Sequence, residues 1–318
     1  MIISTYQIGD EKEIFKLFRL AFKKSISEDF WRWRYIQNPY GKGIIRLMFD
    51  DGRLVGHYAV IPMRLWAQGK LCNAAFSMTT MTHPGYRGRG IFPRLAEETY
   101  KSCIEDDIKV VYGFPNENSY IGFINKLGWK GFGKMKSWEC CNEPFKSRNF
   151  NLIATSINEF NIEHGELWRI RASTDIVEVP RSLEFLRWRY VENPVEEYDL
   201  FEYRDRDGAL IGISVLKLFK KKSWKEGHIV DVVSSLEEGH LSGIIAHSVN
   251  GLFLKGADKV SCWLKDDEYA KVLLWFGFRK VEWPTYFGVK VLKDSDKFFN
   301  VLERPENWRL TMGDSDVF

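Results

Sequence analysis

The chain lacks the features that would commit it to a special environment. Its 318 residues contain no apolar run approaching the length of a membrane span, and the N-terminal residues have no basic segment leading into an apolar one, as a secretory leader would. A soluble, cytoplasmic protein with no membrane partner is the expectation. An excess of one charge sign is also missing. Forty-six basic residues face 43 acidic ones, for a formal charge of +3 and a pI near 8.4. This does not point to nucleic acid, but it leaves room for a local basic site that takes an anionic ligand. Cysteine is scarce: five residues, an odd number, with no C-x-x-C pair, and Cys140-Cys141 adjacent in a way that suits neither a metal nor an easy disulfide. Reduced thiols and no metal site follow. What is present excludes disorder, since 45% hydrophobic and 15% aromatic content can build real cores. The length is comfortable for two domains.

The familiar phosphate-loop signatures are absent too. There is no Gly-Lys-Ser or Gly-Lys-Thr step, and a G-x-G-x-x-G pattern starting at Gly88 would need a third glycine where Pro93 stands. Yet the stretch Met81 to Tyr100 has the order strand, glycine-rich turn, helix. The run Ala74–Thr82 suits a strand, and the chain turns at His83-Pro84-Gly85. After Gly88 and Gly90 it continues with Ile91, Leu95, Ala96 and Thr99 on one helical face. A helix start leaves free backbone N–H groups and a partial positive charge. Gly88 and Gly90 let the backbone approach a ligand closely, Arg87 and Arg89 add positive charge, and Pro93 falls where a helix needs no N–H. A diphosphate is the natural guest.

The pattern His83-Pro84-x-Tyr86-Arg87-Gly88-x-Gly90-Ile91-x-x-x-Leu95 resembles the acyl-CoA pyrophosphate loop of the GNAT N-acyltransferase superfamily. That resemblance implies an acetyl-CoA or other acyl-CoA donor, its pyrophosphate on the amides of Arg87, Gly88, Arg89, Gly90 and Ile91. It also implies a strand ending at Met81 and Thr82, splayed from its neighbour to admit the pantetheine arm, with Asn116 and Ser119 where the family contacts the CoA arm. Helix capping is the competing role for those two. The element order read along the first half, β-α-α-β-β-β-α-β-α-β, fits the same fold.

The pattern then repeats. Arg187-Trp188-Arg189-Tyr190-Val191-Glu192-Asn193-Pro194 echoes Arg32-Trp33-Arg34-Tyr35-Ile36-Gln37-Asn38-Pro39, Asp207-Gly208-Ala209-Leu210-Ile211-Gly212 echoes Asp51-Gly52-Arg53-Leu54-Val55-Gly56, and Leu274–Phe278 answers Asn125–Trp129. The expected fold class is therefore α/β (α+β): two tandem GNAT-like domains, each a mixed, mostly antiparallel sheet with flanking helices, over 1–145 and 146–300, with a tail at 301–318 that either packs over a cleft or hangs free. Where the first copy has its arginines and glycines, the second offers Ser234 to Gly243 with Glu237 and Glu238. By Coulomb sign that turn repels an anion, so one acyl-CoA site is expected, in the first copy.

The family's usual acid and base are missing. The strand Leu71–Thr82 has no carboxylate, and the position four before Gly128 is Ile124 rather than tyrosine. Ser77, Thr79, His57 and Tyr120 are the catalytic candidates that remain. Ser77 would orient the amine or a water, and a strand N–H would polarise the thioester carbonyl. His228 and Asp231 in the second copy, with Trp31, Arg34 and Tyr35 of the first R-W-R-Y helix, are the acceptor-binding candidates, although duplication of that helix favours docking. More narrowly, the tandem architecture resembles the N-acyltransferases that modify nucleotide-linked amino sugars, of the anthrose-pathway type. An amine whose pKa is already low needs no strong base. Aminoglycoside or polyamine N-acetyltransfer, aminoacyl transfer from tRNA and a non-catalytic acyl-CoA sensor or scaffold are the alternatives, and the oligomeric state is left open.

Overall fold

Among the described residues each half of the chain makes the same ten strands and α-helices in the same order. A computed structural model describes residues 1–141, 150–220, 223–235, 237–264, 267–292 and 300–318. The boundary at 145/146 and Leu236 lie outside those residues. The first half runs β1 (Ile2–Thr5), α1 (Glu11–Phe22), α2 (Glu28–Tyr35), β2 (Ile44–Asp50), β3 (Arg53–Ala67), β4 (Lys70–Thr82), α3 (Ile91–Glu105), β5 (Val110–Gly113), α4 (Glu117–Leu127) and β6 (Lys130–Cys140). The second runs β7 (Ile153–Ile157), α5 (Ile162–Glu166), α6 (Leu183–Leu186), β8 (Asp199–Arg204), β9 (Leu210–Lys220), β10 (Lys225–Ser234), α7 (Glu238–Leu254), β11 (Lys259–Cys262), α8 (Asp267–Trp275) and β12 (Arg279–Val291).

The repeated residues do the same local work in both halves. Ser27 caps α2 by accepting from the Phe30 amide, and Ser182 caps α6 by accepting from the Phe185 amide. Asn38 Oδ1 accepts from the Tyr40 amide and Asn193 Oδ1 from the Val195 amide, which closes the turn after each helix. Gly128 and Gly277 both take positive φ, at the helix ends preceding the last strand of each half. The copies diverge at Arg187–Val191, which winds as a π-helix instead of continuing α. The hairpin at Asp51-Gly52 has φ of 46° and 75°, the left-handed pair that a tight two-residue β-turn requires. Asp10 occupies the N-cap position of α1 without capping it; its carboxylate accepts from the Gln7 amide instead.

Two compact units result, and they exchange segments. The first comprises Met1–Leu65, Leu71–Gly133 and Thr285–Pro305; the second comprises Trp66–Lys70, Lys134–Pro284 and Glu306–Phe318. In the first, the strands lie in the order β1-β2-β3-β4-β5, and the end of β12 is added beyond β5. The pairing is antiparallel at β1/β2, β2/β3 and β5/β12, and parallel at β4/β5. Its core forms where α3 lays Ile91, Leu95, Ala96 and Cys103 on Val55, Val60, Ala75 and Val111, with Phe123, Leu127 and Trp129 beside them.

In the second unit the order is β6-β11-β10-β9-β8-β7, with α7 and α8 covering the sheet through Ile244, Ile245, Val249, Leu252 and Leu273. The tail does not hang free. Trp308, Leu310 and Met312 are buried, and the Arg309 amide donates to Val177 O. Thr311, Asp314 and Ser315 are buried with them, while Val317 stays exposed.

Candidate active site

The site is built where β4 parts from β5. Their parallel pairing runs from Ala74/Val110 to Ser77/Gly113 and stops there, while β4 continues through Met78–Thr82. β5 ends at Gly113, and the chain leaves it through Phe114 and Pro115. This leaves a fork with Ser77 and Gly113 at its vertex. One arm is the free edge of β4.

At the open end of that arm stands the glycine turn. Gly88 and Gly90 have φ of 79° and 72°, and no atom lies within 4 Å of where a Cβ would sit on either, so conformation and clear space both call for glycine. Among the described residues no amide from Arg87 to Ile91 donates a hydrogen bond. Arg87 and Arg89 are exposed beside them, the Arg89 guanidinium 4.7 Å from the Tyr86 ring centroid. Gly90 is the N-cap of α3, and Pro93 lies in the first turn, so its missing N–H costs no bond. Free amides, exposed guanidinium groups and a helix start fit a pyrophosphate. Met81 is buried and Thr82 half-buried at the end of the arm.

At the vertex, Ser77 is 7% exposed and its Oγ lies 3.0 Å from Tyr58 Oη. Tyr58 Oη is 3.0 Å from Tyr100 Oη, which accepts from Trp129 Nε1 at 2.8 Å. Burial raises the pKa of both phenols well beyond the ordinary tyrosine range, so both stay neutral. One residue past Met78, Thr79 takes a φ of +53°, unusual for a β-branched residue. His57 on β3 holds that kink: its Nδ1–H donates to Thr79 O at 2.8 Å, and the ring is fully buried. A carbonyl can only accept, so the hydrogen sits on Nδ1. Nε2 has no partner among the described residues. Burial pushes the His57 pKa down to about 4, partly opposed by the Thr79 carbonyl.

The other expected site residues are placed as follows. Asn116 caps α4, its Oδ1 accepting from the Asn118 and Ser119 amides, and Ser119 Oγ donates back to Asn116 O. Tyr120 stacks on Tyr286 of β12, centroids 4.2 Å apart, and its hydroxyl accepts from the Gly133 amide. Trp31 and Tyr35 are buried, Trp31 packing on Tyr6, Phe15 and Tyr35, while Arg34 covers the Phe30 ring. Their visible work is to dock α2.

In the second unit, His228 Nδ1 lies 2.9 Å from Ser261 Oγ inside the sheet. Asp231 accepts from Arg181 Nε and from the Tyr190 hydroxyl, both at 2.6 Å. Arg181 also donates to Asp314 Oδ1 and Thr311 Oγ1. Burial works against its charge, but the carboxylates of Asp231 and Asp314 outweigh that and raise its pKa. The second copy thus fills with its own ion pairs. At its equivalent turn Glu237 precedes α7, and Gly239 is not left-handed.

Residues 3–132 match the model of the acetyltransferase (GNAT) domain family. No curated protein sequence matches the chain. Among solved structures, a GCN5-related N-acetyltransferase from Anabaena variabilis is similar at 15% identity and TM-score 0.70, over 92% of this chain and 73% of that one. A tandem GNAT protein from the clavulanic acid biosynthesis pathway is similar at 13% identity and TM-score 0.62, over 93% and 99%. A fungal GCN5-related glucosamine N-acetyltransferase region within a multi-domain β-N-acetylglucosaminidase is similar at 16% identity and TM-score 0.60, over 91% and 38%.

The fold is that of the GNAT class, in tandem. The first unit carries an acetyltransferase domain, an N-acyltransferase class that draws its acyl group from acetyl-CoA or another acyl-CoA. No helix among the described residues is long and apolar enough to cross a membrane, which says nothing of β-barrels.

Tyr58, Tyr100, Trp129 and Gly113 belong to the vertex but did not stand out in the sequence. Their signals are ordinary for a strand, a helix and a C-cap neighbour.

Proposed function

We propose that the first unit transfers an acyl group from acyl-CoA to the primary amine of a small molecule in the cytoplasm, best fitted by an amino sugar carried on a nucleotide diphosphate. The observation that carries the reading is the set of undonated amides from Arg87 to Ile91 at the mouth of the β4/β5 fork. Acyl-CoA supplies the activated thioester when bound; the chain's residues hold and orient it. The amides and the two arginines take the pyrophosphate. The unpaired edge Met78–Thr82 lies along the arm, where a main-chain N–H can polarise the carbonyl.

The kink at Thr79 sets the direction of that edge, and His57 fixes the kink. At a pKa near 4 the His57 ring is a weak base at neutral pH, which suits a strut better than a proton acceptor. With no carboxylate on β4, an amine that arrives neutral is the chemistry the site accommodates, and sugar amines with lowered pKa supply it. The similarity to a glucosamine N-acetyltransferase region supports a sugar acceptor. On this reading Asn116, Ser119 and Tyr120, at the cap and first turn of α4 just after β5, contact the CoA arm from the other side. The five free cysteines, four of them buried, suit a reducing compartment.

The test mixes the protein with acetyl-CoA and a panel of nucleotide-linked amino sugars, free glucosamine, aminoglycosides and polyamines, reading release of the CoA thiol. Turnover is expected with a sugar amine, and the Arg87→Ala/Arg89→Ala double variant should raise the KM for acetyl-CoA about tenfold or more. Tight acetyl-CoA binding without thiol release from any amine would leave a sensor in place of the enzyme.

A further inference from the structure

The base of the fork is walled on both faces. On the face that carries α3, a Cβ on Gly113 would meet Ser77 O at 3.1 Å, Ser77 Cβ at 3.4 Å and Trp129 Cη2 at 3.4 Å, so Ser77 and the indole fill that side. Side chains alternate along a strand, so the neighbours of Ser77 and Gly113 take the other face. There Phe76 pairs with Tyr112, and their rings stack 5.2 Å apart at 7°. Phe114, the first residue beyond β5, sets its ring edge-on to Phe76 at 5.8 Å. A ring from the β5 side thus reaches a ring on β4 at the point where the strands part.

A second ring backs Phe114. Phe287 on β12 lies 5.0 Å from it, and Phe132 of β6 lies 5.5 Å from Phe287. The register places Val289 opposite Tyr112, so Phe287, two residues away on β12, shares the face of Tyr112. Phe76, Tyr112 and Phe287 are buried, whereas Phe114 is half-buried and keeps surface that a ligand can cover. The distance from the glycine turn also fits. Back to Ser77 the arm is Met78–Thr82, five strand residues or about 17 Å. An extended pantetheine spans a length of that order, so a thioester whose pyrophosphate sits on Arg87–Ile91 ends near the base of the fork, with its acyl group against these rings.

We infer that Phe114, backed by Phe287, is the end wall of the acyl pocket and limits the length of the acyl group the donor can carry. The inference rests on the acyl-CoA reading of the fork. With Ser77 and Trp129 filling one face and the rings the other, a long acyl chain has to turn back toward the fork mouth and leave the pocket. One methylene more or less in an apolar pocket is worth about 10–200-fold in selection. Packed rings yield poorly to an inserted chain, because their neighbours must move with them. Phe287 belongs to the second half of the sequence, so the strand that adds to the sheet of the first unit also supplies part of this wall.

The experiment is isothermal titration calorimetry of CoA, acetyl-CoA, butanoyl-CoA and hexanoyl-CoA against the full chain, which reads binding and requires no knowledge of the acceptor. Acetyl-CoA should bind about tenfold or more tightly than hexanoyl-CoA, with butanoyl-CoA between them. The ratio of hexanoyl to acetyl affinity should rise about tenfold in Phe114→Ala and by a smaller factor in Phe287→Ala. Should Phe114→Ala not fold, Phe114→Leu, which removes the ring but keeps apolar volume, must raise the ratio, or the inference falls. Equal wild-type affinity for acetyl-CoA and hexanoyl-CoA, or a ratio left unchanged by both Phe114 variants, would overturn the inference while CoA binding leaves the acyl-CoA reading standing. Failure of the wild type to bind either CoA or acetyl-CoA would overturn both.

Discussion

A histidine without an acceptor for its second nitrogen is held neutral by the fold, and this makes His57 a pH reporter. Protonation would create an Nε2–H in a fully buried place with no partner among the described residues, which is the physical source of a pKa near 4. The unfolded chain takes up that proton below about 6.5. Between about 6.5 and 4 the unfolded state therefore binds more protons than the native one, and stability is lost as pH falls through that window. The full difference is on the order of 3 kcal/mol once pH is below both values. Urea unfolding at steps from pH 7 to pH 4 should show the wild type losing stability across the window and His57→Gln losing less. Glutamine keeps a donor for Thr79 O and cannot charge. Parallel pH curves for the two proteins would rule out this role for His57.

The element that carries the proposed pyrophosphate site is α3, and its placement depends on a glycine it does not contain. A Cβ on Gly56 would stand 2.4 Å from Ile91 Cγ2 and 2.8 Å from Leu95 Cδ1, so the first turn of α3 rests directly on the β3 backbone. Gly212 does the same for α7, with Ile244 Cδ1 at 2.3 Å. Gly56→Ala and Gly212→Ala should each cost about 1–3 kcal/mol through overpacking. Only Gly56→Ala should also weaken acetyl-CoA, because it moves the Ile91 amide. Melting curves and titration of both variants check this, and equal loss of affinity in the two would contradict it.

The start of α3 could be read from sequence because Gly88, Gly90 and Pro93 each meet a local backbone requirement. The repeated Asp-Gly-x-Leu-x-Gly stretch could be recognised as a repeat, but not its purpose, since the partners of Gly56 lie on another element. The vertex was less legible still. Its contacts join residues 19, 42 and 29 positions apart, and each of those residues taken alone has an ordinary structural explanation. The docking role of Trp31 and Tyr35 was visible in the duplication itself.

At the scale of the whole chain, duplication gave two copies of one element order, but each compact unit draws on both halves of the sequence. Gly288–Val291 pair with Val110–Gly113, and Phe287 and Val289 are buried there, so the last strand of the second half flanks β5 in the first unit. Trp138–Cys140 pair with Val260–Cys262, so the last strand of the first half flanks β11 in the second. Reading the repeats as consecutive domains cannot reveal this, because the exchanged strands occupy equivalent places in each copy and hydrophobic pattern does not record which copy they join.

The consequence is that a fragment cut between the repeats loses an inner strand. Residues 1–141 alone would expose the β5 edge that β12 covers and would lose the Tyr286 ring from Tyr120. Expressed separately, 1–141 and 150–318 should each be largely insoluble or melt without cooperativity. Co-expressed, they should co-purify as a soluble pair, since each brings the strand the other lacks. A 1–141 fragment melting cooperatively at the temperature of the intact chain would show that β12 is dispensable to the acyl-CoA unit. In that case the second copy would have to be explained by something other than completing the first sheet.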